Sequence, residues 1–165
     1  PGGYGWLFPK GDVANLGAGV DPAHQRRLKS IVQRLHETLI ARGRVGARVV
    51  GTTGGLIPVG GLLKPWGMLG NTAVLLAGDA AGLTNPVTGA GISAAVHSGR
   101  LAGLAAAATL RGNPSAARDY AEELDDVYGA SLARARQRRA ALAARPPNKE
   151  ALRRSWIAYP QYWAA

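Results

Sequence analysis

The stretch that most constrains the fold runs from residue 74 to residue 104 and reads VLLAGDAAGLTNPVTGAGISAAVHSGRLAGL. Residues 74–77 form a short continuous apolar run, which predicts a buried strand, and Gly78 and Asp79 break that pattern and leave a carboxylate at the strand's end. Residues 80–89 are rich in turn formers, and from Gly91 onward small residues recur at helical spacing. The predicted order is therefore strand, acidic turn, glycine loop and helix.

This order predicts a binding site at the start of the helix. The first N–H groups of a helix have no intrahelical acceptor, and the aligned peptide dipoles place partial positive charge there. Gly89, Ala90 and Gly91 can therefore offer backbone donors to an electron-rich ligand, and glycine lets backbone and ligand approach closely. The competing interpretation is a tight connection in which Asp79 only caps backbone groups.

The segment GDAAGLTNPVTGAGI, residues 78–92, resembles the second flavin motif of FAD-dependent oxidoreductases of the geranylgeranyl reductase family. That resemblance implies that Asp79 hydrogen-bonds the ribityl chain of FAD and that residues 86–92 run along the isoalloxazine ring. The cofactor-binding residues that it implies are Gly78, Asp79, Pro86, Thr88, Gly89, Ala90, Gly91 and Ile92.

The amino-terminal segment carries a second resemblance. Tyr4, Trp6 and Phe8 alternate along residues 1–8, a turn follows at residues 9–12, and residues 13–20 suggest a second strand, which together predict an antiparallel hairpin. YGWLFPKG followed by VANLGAG resembles a strand pair of geranylgeranyl reductases, in which this face lines a pocket over the flavin. The resemblance implies that Tyr4, Trp6, Phe8 and Pro9 contact an apolar substrate; without it, three aromatic side chains on one face are typical of ordinary core.

Composition excludes several classes of protein and of binding site. With 165 residues, 47% of them hydrophobic, the chain can bury one sizeable core, and no apolar run reaches the roughly 18 residues that span a bilayer. The absence of cysteine excludes disulfides and thiolate metal ligands. His24 and His36 are not spaced like a zinc pair, so no metal site is predicted. We expect a cytoplasmic location, with or without peripheral attachment to a membrane.

The chain begins at Pro1, inside an apparent strand, and lacks the G-x-G-x-x-G turn of a dinucleotide site. Gly17 and Gly19 match the first two glycines of that turn, but Val20, Asp21 and Pro22 follow. We therefore expect a fragment whose nucleotide-binding half lies upstream and which is inactive by itself.

Further elements follow from local signals. Asp21 followed by proline starts a helix that Gly43 ends, and its single apolar stripe predicts packing on a sheet. Residues 47–50 suggest a short strand, and the glycine-rich residues 51–71 a crossover in which residues 56–61 resemble the family's link between its two domains. A further helix starts after Asn113 and Pro114.

The carboxy-terminal region is basic and accounts for much of the net charge of +10. Three interpretations compete: a solvated helical face, which we favour, a patch for anionic lipid headgroups, and a nucleic-acid surface. No nucleic-acid motif accompanies the arginines, and no nucleic-acid partner is expected. The basic residues are Arg134, Arg136, Arg138, Arg139, Arg145, Lys149, Arg153 and Arg154.

The predicted fold class is mixed α/β (α+β): a partial FAD-binding flavoprotein fold with an antiparallel substrate-domain sheet and packed helices. The predicted parts are residues 1–65 in a substrate domain, 66–112 in the carboxy-terminal part of an FAD-binding domain, and 113–165 in a basic helical region. The resemblance implies reduction of carbon–carbon double bonds of an isoprenoid chain by flavin hydride transfer. A reduced electron donor is expected, either NAD(P)H or a ferredoxin-like protein, and the sequence does not decide between them.

No catalytic residue is assigned, and His97 is interpreted as a packed side chain. An FAD-dependent monooxygenase or halogenase is the alternative enzyme, since the same turn and loop resemble those families, although Gly82 stands where hydroxylases often carry histidine. The alternative of another class is a non-catalytic basic module that binds membrane or nucleic acid.

Overall fold

The computed structural model describes residues 3–144 and 148–164, which fall into two compact units, Pro1–Gly54 and Gly55–Ala165. The expectations placed on Pro1 and on Arg145 lie outside the described residues.

The first unit contains the predicted antiparallel hairpin. Strand β1 (Gly5–Lys10) pairs with strand β2 (Val13–Ala18), and Gly11 makes the turn between them with a φ of +59°. Trp6 lies opposite Gly17, where a Cβ would lie only 2.3 Å from the indole ring, so this glycine gives the ring its place.

Helix α1 (Leu28–Ala41) packs on this hairpin, as its apolar stripe predicts. Asp21 accepts a hydrogen bond from the backbone N–H of Ala23 and starts a 3-10 turn that leads into the helix. The chain leaves the helix through Gly43, which has a φ of +62°. The predicted start and stop signals are both confirmed.

The strand predicted at residues 47–50 is wrong. These residues form no ladder, and Val50 is 75% exposed. A strand is stabilised by paired backbone groups and cross-strand side chains, and among the described residues no other strand pairs with this segment.

The second unit begins with a second hairpin, in which β3 (Trp66–Leu69) pairs with β4 (Thr72–Leu75). The strand predicted at residues 74–77 is therefore displaced, and it is half-exposed instead of buried. The reason is that β4 pairs only with β3 among the described residues, and the N–H of Leu76 bonds the carbonyl of Pro65 instead of continuing a wider sheet.

Five α-helices follow β4 within the described residues. They are α2 (Ile92–Leu110), α3 (Ala116–Leu124), α4 (Ala130–Ala144), α5 (Lys149–Ser155) and α6 (Pro160–Trp163). A π-helical turn, Asp125–Gly129, joins α3 to α4. None of the helices in the described part of the chain is long and apolar enough to cross a membrane.

The core of the second unit lies between the loop of residues 78–91, α2, α3 and α4. Small side chains on α2, Ala94 and Ala105, let the neighbouring elements approach closely. The larger buried members of this cluster are Leu83, Tyr120, Leu124 and Leu132. The structure confirms the mixed α/β class with small antiparallel sheets and packed helices, whereas the division into three functional parts stays a prediction.

Candidate functional site

A cavity of about 520 Å³ opens in the second unit where the chain passes from β4 to α2. Its wall brings together five of the predicted cofactor residues and leaves out Pro86, Thr88 and Ala90. The residues that line it are Ala77, Gly78, Asp79, Ala80, Gly89, Gly91, Ile92 and Ala95.

Asp79 presents its carboxylate at this cavity from the 3-10 turn Gly78–Ala81. Its Oδ1 accepts a hydrogen bond from the Thr84 hydroxyl at 2.5 Å, which orients the carboxylate. A Cβ at Gly91 would lie 3.0 Å from the same oxygen, so glycine keeps the helix start beside the acid. The carboxylate of Asp79 thus accepts from a side chain, which disfavours the interpretation of this carboxylate as a cap of backbone groups.

The N-terminus of α2 faces the same cavity through Gly91 and Ile92. Gly91 has no side chain to cap the helix, and the first helical hydrogen bond runs from the Ala95 N–H to the Gly91 carbonyl at 2.8 Å. The preceding N–H groups of α2 have no intrahelical acceptor. Uncapped donors and a carboxylate therefore line one cavity.

Gly78 joins the strand end to α2. Its φ is +57°, and a Cβ there would lie 2.9 Å from the Ala95 methyl group. Its N–H donates to the Ser98 hydroxyl at 2.9 Å, and that hydroxyl donates to the Ala94 carbonyl at 2.7 Å. This buried connection holds Asp79 and the start of α2 in register.

The loop before α2 is shaped by Asn85. Its Oδ1 accepts from the N–H groups of Val87 and Thr88, both at 3.0 Å, and its backbone exchanges hydrogen bonds with Gly89 and Ala90. Such side-chain bonds replace regular secondary structure in turns. Residues 85–90 therefore behave as one closed unit.

Pro86 and Thr88 are buried within this loop, so they shape the wall behind the cavity. Sequence reasoning named both but missed Thr84, Asn85 and Ser98, which orient Asp79, close the loop and tie Gly78 to α2. The local signal for Asn85 was present in the Asn-Pro turn pair. Thr84 and Ser98 act through packing that no local pattern encodes.

Two tyrosines support the site from α3 and the π-helical turn. The buried Tyr120 hydroxyl donates to the Leu76 carbonyl at 2.6 Å, just before the cavity, and burial raises the pKa of Tyr120 above 10.0. The Tyr128 hydroxyl lies 2.9 Å from His97 Nδ1, and burial raises the pKa of Tyr128 as well. His97 is therefore a packed, hydrogen-bonded side chain, as predicted.

We expect the Tyr120→Phe variant to be less stable by about 1 kcal/mol near neutral pH, because the buried Leu76 carbonyl loses its donor. Because the folded-state pKa is raised, the stability that this phenol contributes is fully present below its unfolded pKa of 10.0 and is lost as pH rises through the folded pKa. The difference in free energy of unfolding between wild type and variant should therefore narrow as the pH rises above 10.0.

Urea unfolding of both proteins across this pH range measures the gap. The exposed Tyr159→Phe change is the control and should leave the curves unchanged. Parallel wild-type and Tyr120→Phe curves up to strongly alkaline pH would contradict the role given to this buried phenol.

The first unit carries the predicted aromatic face. Trp6 lies between Tyr4 and Phe8, with ring centroids 6.0 and 6.4 Å away, and its indole N–H donates to Asn15 Oδ1 at 2.8 Å. Helix α1 contacts the opposite face, where Leu35 lies against Gly5. On the aromatic face, Tyr4 is 37% exposed and Phe8 is 57% exposed.

Pro9 does not share that face, because successive side chains of a strand point to opposite sides. The structure thus brings together Tyr4, Trp6 and Phe8 and separates Pro9 from them. The substrate role of all four residues stays a prediction.

No protein-family model matches this chain. Among curated proteins it is similar to a digeranylgeranylglycerophospholipid reductase of Methanocella arvoryzae, with 36% identity over 136 residues, which covers 80% of this chain and 33% of the relative. It is also similar to digeranylgeranylglycerophospholipid reductase 3 of Methanosphaera stadtmanae, with 37% identity over 130 residues, which covers 78% of this chain and 30% of the relative.

Among solved structures it is similar to a geranylgeranyl bacteriochlorophyll reductase-like protein from Thermoplasma acidophilum. The TM-score is 0.71 at 28% identity, over 85% of this chain and 36% of that one. The chain thus spans about a third of the length of the curated relatives it matches. The family resemblance drawn from the two sequence motifs is confirmed.

Proposed function

We propose that this chain, a relative of the geranylgeranyl reductases, forms part of an FAD-dependent oxidoreductase that reduces carbon–carbon double bonds of an isoprenoid chain. The observation that carries the proposal is the cavity in which the Asp79 carboxylate and the uncapped start of α2 meet. The curated relatives are named as reductases of digeranylgeranyl lipids, which supports an apolar isoprenoid substrate.

The donor set of the cavity fits a flavin. A carboxylate accepts hydrogen bonds from the hydroxyl groups of a ribityl chain, and backbone N–H groups at a helix start favour an electron-rich ring edge. Gly78 and Gly91 stand where a Cβ would press on Ala95 or on Asp79, so the wall is shaped by backbone. When bound, reduced flavin supplies the hydride for the reduction.

The residues of the chain then bind the cofactor and orient it. Asp79 holds the polar chain of the cofactor, and Thr84 keeps that carboxylate in place. The start of α2 places partial positive charge beside the ring. Hydride addition to one alkene carbon requires a proton at the other carbon, and no side chain of this chain is assigned as the donor of that proton.

The open aromatic face of β1 is our candidate for substrate contact. Tyr4, Trp6 and Phe8 present a continuous apolar surface, and Trp6 is fixed by its bond to Asn15 and by the space above Gly17. Aromatic rings bury large apolar area at small cost in side-chain entropy. An isoprenoid chain offers the matching surface.

We also propose a peripheral contact with an anionic membrane, through the aromatic and basic side chains of α4 to α6. Trp163 is 56% exposed and lies 5.9 Å from the Arg134 guanidinium, and Tyr159 is exposed as well. Amphipathic aromatics beside arginines favour an interface with acidic headgroups. Binding to anionic vesicles that is lost at high salt tests this contact.

The decisive test uses the natural polypeptide that carries this sequence. We expect it to bind FAD and, with a chemical reductant under anaerobic conditions, to convert an unsaturated prenyl lipid to a product with added hydrogen. In that assay the Phe8→Ala variant should raise KM about 10- to 100-fold, because burying a phenyl group contributes about 1.5–3 kcal/mol. Its kcat and FAD affinity should change little, because Phe8 lies on the hairpin face and not in the flavin cavity.

Val50→Ala is the matched control, since Val50 is an exposed apolar side chain of the same unit outside the hairpin. A hydroxylated or halogenated product would replace the reductase with the alternative flavoenzymes. A polypeptide that takes up no FAD but binds anionic vesicles would support the basic module instead.

A further inference from the structure

Helix α4 reaches the flavin motif through one arginine. The Arg139 Nη1 donates a hydrogen bond of 2.9 Å to the backbone carbonyl of Pro86, across 53 residues of sequence. The bond is partly buried, and the Pro86 side chain is fully buried beneath it. A charged donor makes a stronger bond than a neutral one, and partial removal from water protects it from screening.

A second arginine of α4 holds the chain on the other side of the motif. The aliphatic part of Arg136 lies against Gly61, since a Cβ added at Gly61 would lie 2.8 Å from Arg136 Cδ. Gly61 in turn presses its carbonyl on Gly82, within the motif, where a Cβ would lie 2.0 Å from that oxygen. Arg136 and Arg139 also line one groove with Val59 and Gly60.

The loop transmits the position of Pro86 to the cavity. Asn85 closes residues 85–90 into one hydrogen-bonded unit, and the Asn85 N–H bonds the Ala90 carbonyl at 2.8 Å. Gly89 belongs to this unit and Gly91 follows it directly, so the position of both cavity-lining residues depends on the position of Pro86. An arginine that fixes Pro86 fixes the backbone donors on the cavity wall.

We propose that Arg139 is a positioning residue for the cofactor site, so that the basic helix α4 is a working part of that site as well as a solvated face. The inference rests on the proposed function for its link to FAD, whereas the hold on the loop stands on the hydrogen bond itself. Arg139 orients the Pro86–Gly91 backbone and does not touch the reacting atoms.

The test compares Arg139→Ala with Arg134→Ala in the natural polypeptide. Both changes remove one positive charge from α4, but Arg134 lies against Trp163. We expect Arg139→Ala alone to raise amide hydrogen exchange of residues 85–91 about tenfold or more without FAD, and to weaken FAD affinity about tenfold by fluorescence quenching. Arg139→Lys, which keeps the charge and a donor, should restore part of both effects.

Unchanged exchange of residues 85–91 in Arg139→Ala, or an equal rise in Arg134→Ala, overturns the proposal. Raised exchange with unchanged FAD affinity supports the hold of Arg139 on the loop and overturns only its role in binding the cofactor. If the wild-type polypeptide binds no FAD, the proposed function fails, and the exchange measurement still decides whether Arg139 holds the loop. A shift of the bound flavin absorption bands in Arg139→Ala, absent in Arg134→Ala, separates positioning from a general loss of stability.

Discussion

The Asp79→Ala variant of the natural polypeptide is expected to bind FAD about 10- to 100-fold more weakly than wild type. A hydrogen bond to a charged group contributes about 1.5–3 kcal/mol, which converts to this range of affinity. Asp79 is the carboxylate at the cavity, and it is exposed, so its removal leaves the core intact. Titration of the apoprotein with FAD, followed by fluorescence, measures the change.

Two further variants make this result specific. Asp79→Asn keeps a carbonyl oxygen for the Thr84 hydroxyl but loses the charge. Its FAD affinity should therefore fall between those of wild type and Asp79→Ala. Glu123→Ala removes one exposed carboxylate from α3, away from the cavity, and should bind FAD like wild type. Wild-type affinity in Asp79→Ala, or equal losses in Asp79→Ala and Glu123→Ala, would refute the flavin role of Asp79.

The Gly82→Ala variant is expected to lower the free energy of unfolding by about 3 kcal/mol or more. Gly82 has a φ of +74°, a region that costs an L-residue about 1–2 kcal/mol. A Cβ there would also lie 2.0 Å from the Gly61 carbonyl oxygen. That backbone is held by the bond from the Leu63 N–H to the Ala81 carbonyl, so relief of the clash must disrupt this packing.

Gly112→Ala is the matched control, because Gly112 has a φ of +90° with open space around its Cα. It therefore reports the backbone strain alone, about 1–2 kcal/mol. Urea unfolding midpoints of the two variants give the difference. Equal destabilisation would show that the close contact between Gly82 and Gly61 does not exist in solution.

Gly82 also connects stability with function. Hydroxylases often carry histidine at this place, whereas in this chain a side chain at residue 82 would collide with the backbone at Gly61. A left-handed glycine therefore joins the motif to the segment that α4 holds through Arg136. This places the motif, the crossover and the basic helix in one packed unit.

Much of the local structure was predictable. The hairpin, the 3-10 turn that Asp21 caps before α1, the end of α1 at Gly43 and the start of α2 after Gly91 all follow from alternation, capping and glycine placement. Each of these signals acts within a few residues, so the local sequence is enough to predict these elements.

The errors concern strands. The predicted strand at 47–50 is absent, and the strand expected at 74–77 lies at Thr72–Leu75 and is half-exposed. An apolar run indicates that a segment is able to form a strand. Whether it does so depends on a partner strand elsewhere in the chain. No local pattern reveals that partner.

The amino-acid sequence by itself determined the order of strand, acidic turn, glycine loop and helix, and the resemblance of this stretch to the geranylgeranyl reductases. Only the tertiary structure decided how the site is held: Gly78 bonds Ser98, Tyr120 bonds Leu76, and Arg139 bonds Pro86, across 20, 44 and 53 residues. Local preferences arise from neighbouring atoms of the backbone, whereas these contacts arise only when packed helices bring distant side chains together.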